Sequence, residues 1–173
     1  MKQIDPMDIA ELKAELETLH SASFGWALSC CRRDRGEAED VLQTVYLKIL
    51  EGKARFRGEA AFKTWLFAVI RHTALERFRW RRVRQMLFVE RGSPPRPDQI
   101  LERSERTQRL LRALLKISTR QREVLELVFY HDMTIEEASQ TLGISLGSAR
   151  THYERGKRRL FSILNEEERV AFA

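Results

Sequence analysis

Three of the four prolines fall within five residues, Ser93-Pro94-Pro95-Arg96-Pro97, in a chain whose other periodic segments are helical. Proline lacks the N–H that a helix needs, and its ring clashes with the preceding turn. Consecutive prolines therefore hold the chain extended. The cluster predicts a flexible linker over residues 88–104, separating helical parts at 8–87 and 105–167. At 173 residues in total, each part is long enough for one small helical core. The expected fold class is all-α, with two small helical domains.

In the first part, Asp34 followed by Glu37 reads as a capping box opening a helix that runs to about Leu50, where Gly52 ends it. Ala38, Val41, Leu42, Val45 and Ile49 share one face and predict its buried side. Asp40, Gln43, Thr44, Leu47 and Glu51 share the other. Leu47 is apolar among polar neighbours, as a docking surface would show, although one exposed leucine is also ordinary on a soluble protein.

Residues 60–83 carry a second long helical pattern, with Phe62, Trp65, Leu66 and Val69 as its expected core stripe. Thr64, Ala68, Arg71, His72, Leu75, Arg79 and Arg82 follow another line along the same helix. A basic line of this kind is commonly a solvated face. Here it runs beside Phe56, Phe62, Trp65, Phe67, Phe78 and Trp80. Rings interleaved with arginines suit opened nucleic acid, where bases stack while cations hold phosphates. Most of these rings are expected in the core, with one or two left for DNA.

Charge is distributed in the same sense. Residues 1–50 hold nine acidic side chains against six basic ones, whereas Arg71–Arg84 holds six arginines against Glu76 alone. A second basic stretch, Ser145–Arg159, sets Arg150, Arg155, Lys157, Arg158 and Arg159 against Glu154. The net charge is +6, and two basic patches far apart in sequence suggest two contacts on one polyanion.

The second part is punctuated like a helix-turn-helix. Ser118 with Gln121 opens one helix, and Thr134 with Glu137 opens Ile135–Leu142. Gly143 supplies the turn, and Ser145 caps a last helix expected to run to about Phe161. Ala149, Tyr153 and Leu160 should face inward. Ser148, Thr151, Glu154, Arg155 and Arg158 should face outward, with Arg150 and Lys157 flanking them. A basic outer face on the second helix of such a unit fits the major groove of duplex DNA.

Cys30 and Cys31 are adjacent, so no ordinary structural disulfide is implied, and both thiols are expected at least partly in a core. The histidines are scattered and no CxxC occurs, so no metal site or cofactor is expected. No nucleophile–base pair or phosphate loop stands out, which argues against an enzyme. No apolar stretch is long enough to span a membrane or to serve as a signal peptide, so a cytoplasmic location without membrane insertion is expected.

Three segments now take on a family likeness: AEDVLQTVYLKIL, FKTWLFAVIRHTALERFRWRR and TRQREVLELVFYHDMTIEEASQTLGISLGSARTHYERGKRRL. In order and spacing they resemble the extracytoplasmic-function (ECF) sigma factors of bacterial RNA polymerase, over about residues 20–162. The resemblance implies a region-2-like domain, a region-4-like domain and a transcription initiation factor. It implies that Asp40, Gln43, Thr44 and Leu47 grip the clamp helices of core polymerase. It implies that residues 56–61, with Phe56 and Arg57, form the loop that captures a base flipped from the −10 element. Lys63 and Trp65 then line the opened strand, and Arg71, His72, Arg79 and Arg82 belong to the −10 helix. Ser148, Arg150, Thr151, Glu154, Arg155 and Arg158 fall toward the −35 element. The family is usually restrained by an anti-sigma factor, so one is an expected partner beside core polymerase and promoter DNA.

Two positions depart from the family pattern. His72 stands where asparagine is usual, and Glu76 where aspartate is common. Glu154 directs a carboxylate toward DNA, where it can accept from a cytosine amino group or repel phosphate. Two other readings account for less of the chain. A stand-alone helix-turn-helix regulator leaves the Asp40/Gln43/Leu47 face and the aromatic–arginine helix unexplained. A recombinase or nuclease with a helix-turn-helix tail needs a catalytic cluster in the first part.

Overall fold

The computed structural model describes the backbone of residues 8–87 and 105–171, and side chains within 8–81 and 107–166. The expected linker, 88–104, lies outside the described residues. The chain divides into two compact units, Met1–Asp98 and Gln99–Ala173. Every regular element among the described residues is an α-helix.

Unit 1 contains α1 (Ile9–Thr18), α2 (His20–Cys30), α3 (Arg35–Leu50) and α4 (Phe62–Leu87). Helix α2 packs on both α3 and α4, which also pack on each other. Trp26 of α2 is fully buried; its ring lies 5.9 Å from that of Phe67 and within 8° of parallel. The Trp26 Nε1–H donates to the Phe67 carbonyl at 3.0 Å, so the indole is buried without an orphaned donor.

The expected buried face of α3 is the observed one: Ala38, Val41, Leu42, Val45 and Ile49 are all buried. Asp34 caps α3 by accepting from the Glu37 N–H at 3.0 Å. The other half of the expected box is missing. The Glu37 carboxylate turns instead to Arg77 at 3.6 Å and to Arg81, both on α4. The Asp34 N–H donates to the Cys31 carbonyl at 3.0 Å, which leaves the Glu37 carboxylate to the two guanidinium groups.

The core stripe of α4 is rotated from its expected position. Leu66 is buried, but its fully buried companions are Phe67 and Ile70, not Phe62, Trp65 and Val69, which are half-buried. Thr64, expected on the polar line, is buried as well. Helix α4 faces two helices at once, so its buried arc is set by that groove and not by its most apolar sequence stripe.

Between α2 and α3 the chain reverses through Arg32 (φ 54°) and Arg33 (φ 67°), both left-handed. Such a conformation costs a non-glycine residue about 1–3 kcal/mol. The turn is held by Arg33 N–H to the Leu28 carbonyl at 2.8 Å, and by the Arg32 guanidinium 5.7 Å over the Phe78 ring. Cys31 is buried beside it, and Cys30 is half-buried.

Unit 2 contains α5 (Glu105–Leu115), α6 (Thr119–Phe129), α7 (Ile135–Leu142) and α8 (Leu146–Ala171). Both expected capping boxes form in full, at Ser118/Gln121 and at Thr134/Glu137. Gly143 ends α7 at φ 63°, a conformation that glycine enters without steric cost. Ser145 then accepts from the Ser148 N–H at 3.1 Å to start α8. Helix α8 runs ten residues past its expected end, to Ala171. Ile163 anchors it in a core with Ala113, Ile117 and Leu125, against which Leu160 and Leu164 also pack.

Gly156 marks where α8 crosses α6 most closely. A Cβ there would lie 3.0 Å from Gln121 Cβ and 3.2 Å from Leu125 Cδ1. Gly156→Ala should therefore destabilise unit 2 by about 1 kcal/mol net, since overpacking outweighs the gain in helix propensity. Gly147→Ala, with nothing within 4 Å, should be neutral or stabilising; thermal melts of the two variants compare them directly. Burial, reinforced by Glu37 and Asp34, pushes the Cys31 thiol up to about 12. It is a neutral thiol near pH 7, and iodoacetamide should alkylate Cys31 at least about tenfold faster after unfolding, as read by mass spectrometry.

Candidate nucleic-acid and polymerase interfaces

In unit 1, α3 presents Asp40 and Gln43 exposed and Leu47 at 51% exposure. Thr44 is half-buried and spends its hydroxyl on the Asp40 carbonyl at 2.8 Å. Leu50, one turn beyond Leu47, is 50% exposed, a neighbour that sequence reading passed over. Two leucines three residues apart make this an apolar strip and not one stray side chain. The Asp40 carboxylate also accepts from Arg77 of α4 at 2.8 Å, so the acidic edge of the strip is tied to α4.

The segment after α3 begins with Gly52 at φ 70° and folds Phe56 back onto α4. Phe56, Phe62 and Trp65 form a three-ring cluster with centroids 5.2–5.4 Å apart. All three rings are half-buried, while Arg57 beside them is exposed. The Lys63 ammonium sits 5.7 Å over the Phe67 ring, which fixes its stem against the helix. Further along α4, Arg71 is half-buried and His72, Arg79 and Trp80 are exposed. Trp65, His72 and Arg79 are spaced by seven and share one side of the helix. Arg82 lies on α4, but its side chain is outside the described residues.

Glu76 is the one acidic residue between Arg71 and Arg84. Lys48 of α3 donates to it at 2.9 Å, and the Lys48 hydrogen bond, followed by the Lys48, His72 and Arg79 charges, holds its carboxyl below 4.5. Burial opposes this, less strongly.

In unit 2, α7 and α8 make the helix-turn-helix. Ser148, Arg150, Thr151, Glu154, Arg155, Lys157 and Arg158 are all exposed along the first turns of α8. Ala149 is buried behind them, and Tyr153 stacks on Phe129 of α6 at 5.8 Å. Lys157 lies 3.6 Å from Glu154 and 4.8 Å over the Tyr153 ring, so the one carboxylate on this face is partly neutralised.

The Sigma-70 region 2 family model matches residues 16–84, and the Sigma-70 region 4 model matches residues 107–160. Among curated proteins, the ECF RNA polymerase sigma factor SigX of Bacillus subtilis is 29% identical over 147 residues, 78% of this chain and 76% of SigX. The chain belongs to the ECF sigma factors. RNA polymerase sigma factor YlaC of Bacillus subtilis is 28% identical over 142 residues, 77% of this chain and 82% of YlaC. CnrH of Cupriavidus metallidurans is 27% identical over 163 residues, 84% of this chain and 85% of CnrH.

Solved structures of sigma factors share the fold. RpoE in complex with the anti-sigma factor NepR from Bartonella quintana gives a TM-score of 0.70 at 24% identity, over 91% of this chain and 98% of that one. CnrH in complex with the cytosolic domain of CnrY gives 0.65 at 19%, over 92% and 90%. Sigma factors are transcription initiation factors and not enzymes. Among the described residues of this one, no helix is long and apolar enough to cross a membrane, and no cluster could hold a metal ion.

The Lys48–Glu76 pair that joins α3 to α4 in this sigma factor is partly exposed, so it should stabilise unit 1 only modestly. Because the folded carboxyl is held down, its contribution is present above 4.5 and fades as pH falls through the lower folded value. Glu76→Gln should therefore lower the melting temperature slightly at neutral pH and not at all in strong acid. Melts across that range test it.

Proposed function

We propose that this sigma factor docks on core RNA polymerase through the α3 strip of Asp40, Gln43, Thr44 and Leu47, and reads a promoter with both units. Residues 8–87 form the region-2-like domain. Its three-ring cluster and the outer side of α4 hold the melted −10 strand, with Phe56 and Arg57 at the captured base. Lys63, Trp65, Arg71, His72, Arg79 and Arg82 follow along that strand. Capturing an unstacked base offsets part of the few kcal/mol that unstacking costs. Residues 105–167 form the region-4-like domain. Ser148, Arg150, Thr151, Glu154, Arg155 and Arg158 face the duplex −35 element, chiefly through salt-sensitive phosphate contacts.

One observation carries this reading above the others: the basic outer side of α8 and the apolar strip of α3 are both exposed in a chain that matches both family regions. Neither contributes to its own unit's core, so each is available to a partner. Residues 88–104 act as the linker across the polymerase cleft, and attachment to polymerase supplies the effective concentration that lets two weak DNA contacts act together. The factor acts in the cytoplasm. An anti-sigma factor restrains it by covering these surfaces, a reading supported by the anti-sigma partners of RpoE and CnrH.

Gel filtration with core polymerase lacking its own sigma tests the docking surface. The wild-type chain should co-elute, whereas Leu47→Asp should weaken co-elution at least about tenfold by removing an apolar anchor and burying an unpaired charge. The circular dichroism melt of this exposed-site variant should match wild type. Failure of wild type to co-elute, with salt-sensitive duplex binding by the free chain, would favour a stand-alone regulator.

A further inference from the structure

His72 stands at the outward centre of α4, with its side chain 73% exposed. Its Nδ1 faces Oε2 of Glu76, one turn along, at 3.7 Å. That oxygen is not free to swing. Lys48 Nζ, reaching across from α3, donates to the same Oε2 at 2.9 Å and to the Thr73 hydroxyl at 3.4 Å. The carboxylate is thus held from a second helix, and its charge is compensated by Lys48. This compensation lets an acidic residue sit between Arg71 and Arg79 without repelling a strand drawn there by those arginines.

A fixed negative oxygen beside Nδ1 favours the ring proton on that nitrogen. In the neutral imidazole the other nitrogen, Nε2, is then a hydrogen-bond acceptor. It is also the nitrogen turned away from Glu76. On the major-groove edge of a base, an acceptor at that point pairs with the exocyclic amino group of adenine or cytosine, and faces like polarity in O6 of guanine or O4 of thymine.

We propose that Lys48 and Glu76 are positioning residues that set His72 to read the major-groove edge of a base whose amino group lies on that edge, adenine or cytosine, at one position of the −10 element. The proposal rests on the reading of α4 as the −10 helix and adds the class of base and the residues that select it. Neither Lys48 nor Glu76 touches DNA in this arrangement. They act through the imidazole.

The test uses holoenzyme assembled from core polymerase and the full chain, with a promoter library randomised through the −10 element. It is run at about pH 8, above the ordinary imidazole range. Wild type should favour adenine or cytosine at one position by roughly three- to tenfold, the scale of one hydrogen bond. His72→Ala should flatten that position alone. Glu76→Gln, which keeps the shape and removes the charge, should flatten it as well or turn it toward guanine or thymine. Core binding and the preferences at other positions should stay as in wild type.

A wild-type profile from Glu76→Gln would overturn the positioning role. A preference for guanine or thymine that His72→Ala removes would overturn the acceptor assignment. An unchanged profile from His72→Ala would overturn His72 as the reader. The reading of α4 fails separately, and only if Arg71→Ala/Arg79→Ala holoenzyme also opens promoters as wild type does. Melts of each variant confirm that the fold is retained.

Discussion

Unit 1 depends on the burial of Trp26. Its indole stacks on Phe67 and spends its one donor on the Phe67 backbone carbonyl, so a single side chain fixes both the spacing and the register of α2 on α4. A ring of this size removes more apolar area from water than any aliphatic residue in this small core. With α4 set, α3 fills the remaining side, and its polar edge is clasped to α4 by Arg77, Arg81 and Lys48. Each ion pair is at least partly exposed and adds little stability. Together they specify orientation: the apolar strip of α3 and the aromatic–arginine side of α4 are held in one relation because the residues joining their helices are long, charged and directional.

Local signals in the sequence were the ones that survived folding. The boxes at Ser118/Gln121 and Thr134/Glu137, the glycine at 143 and the buried stripe of α3 all rest on neighbours about one helical turn apart. They could be read because nothing distant competes for them. The box at Asp34/Glu37 formed only half: the Asp34 N–H donates to the Cys31 carbonyl, and Arg77 and Arg81, forty residues on, claim Glu37. The core stripe of α4 was displaced for a related reason. Its strongest sequence stripe includes Phe62 and Trp65, yet Phe56 folds back to shelter those rings, leaving Phe67 and Ile70 to meet α2 and α3.

The turn at Arg32-Arg33 was not legible at all. No glycine or asparagine announces its left-handed backbone, and the contact with Phe78 that helps hold it spans two helices. On the candidate surfaces, exposure of the α8 residues followed directly from helical period. The partners of Asp40 and Glu76 on the neighbouring helix did not, because a carboxylate on a basic surface can choose among several cations and only the packed helices decide which is near. Leu50 escaped notice for a simpler reason: it stands next to the glycine-terminated end of α3, where apolar residues usually turn inward.

Helix α8 separates its exposed basic side from the side that holds it. Ala149, Gly156 and Ile163, at steady intervals of seven, face the body of unit 2, whereas Ser148, Thr151, Arg155 and Arg158 contribute nothing to that core. Substitutions on the two sides are therefore under different constraints. Under the proposed −35 reading, a change among the outward residues alters affinity or base preference at little cost in folding, while a change at Gly156 must be accommodated by α6 before it can be tolerated. On that same reading, promoter preference can drift one position at a time over a constant fold, so descendants of one ancestral factor can come to serve separate sets of genes while the helix keeps its packing.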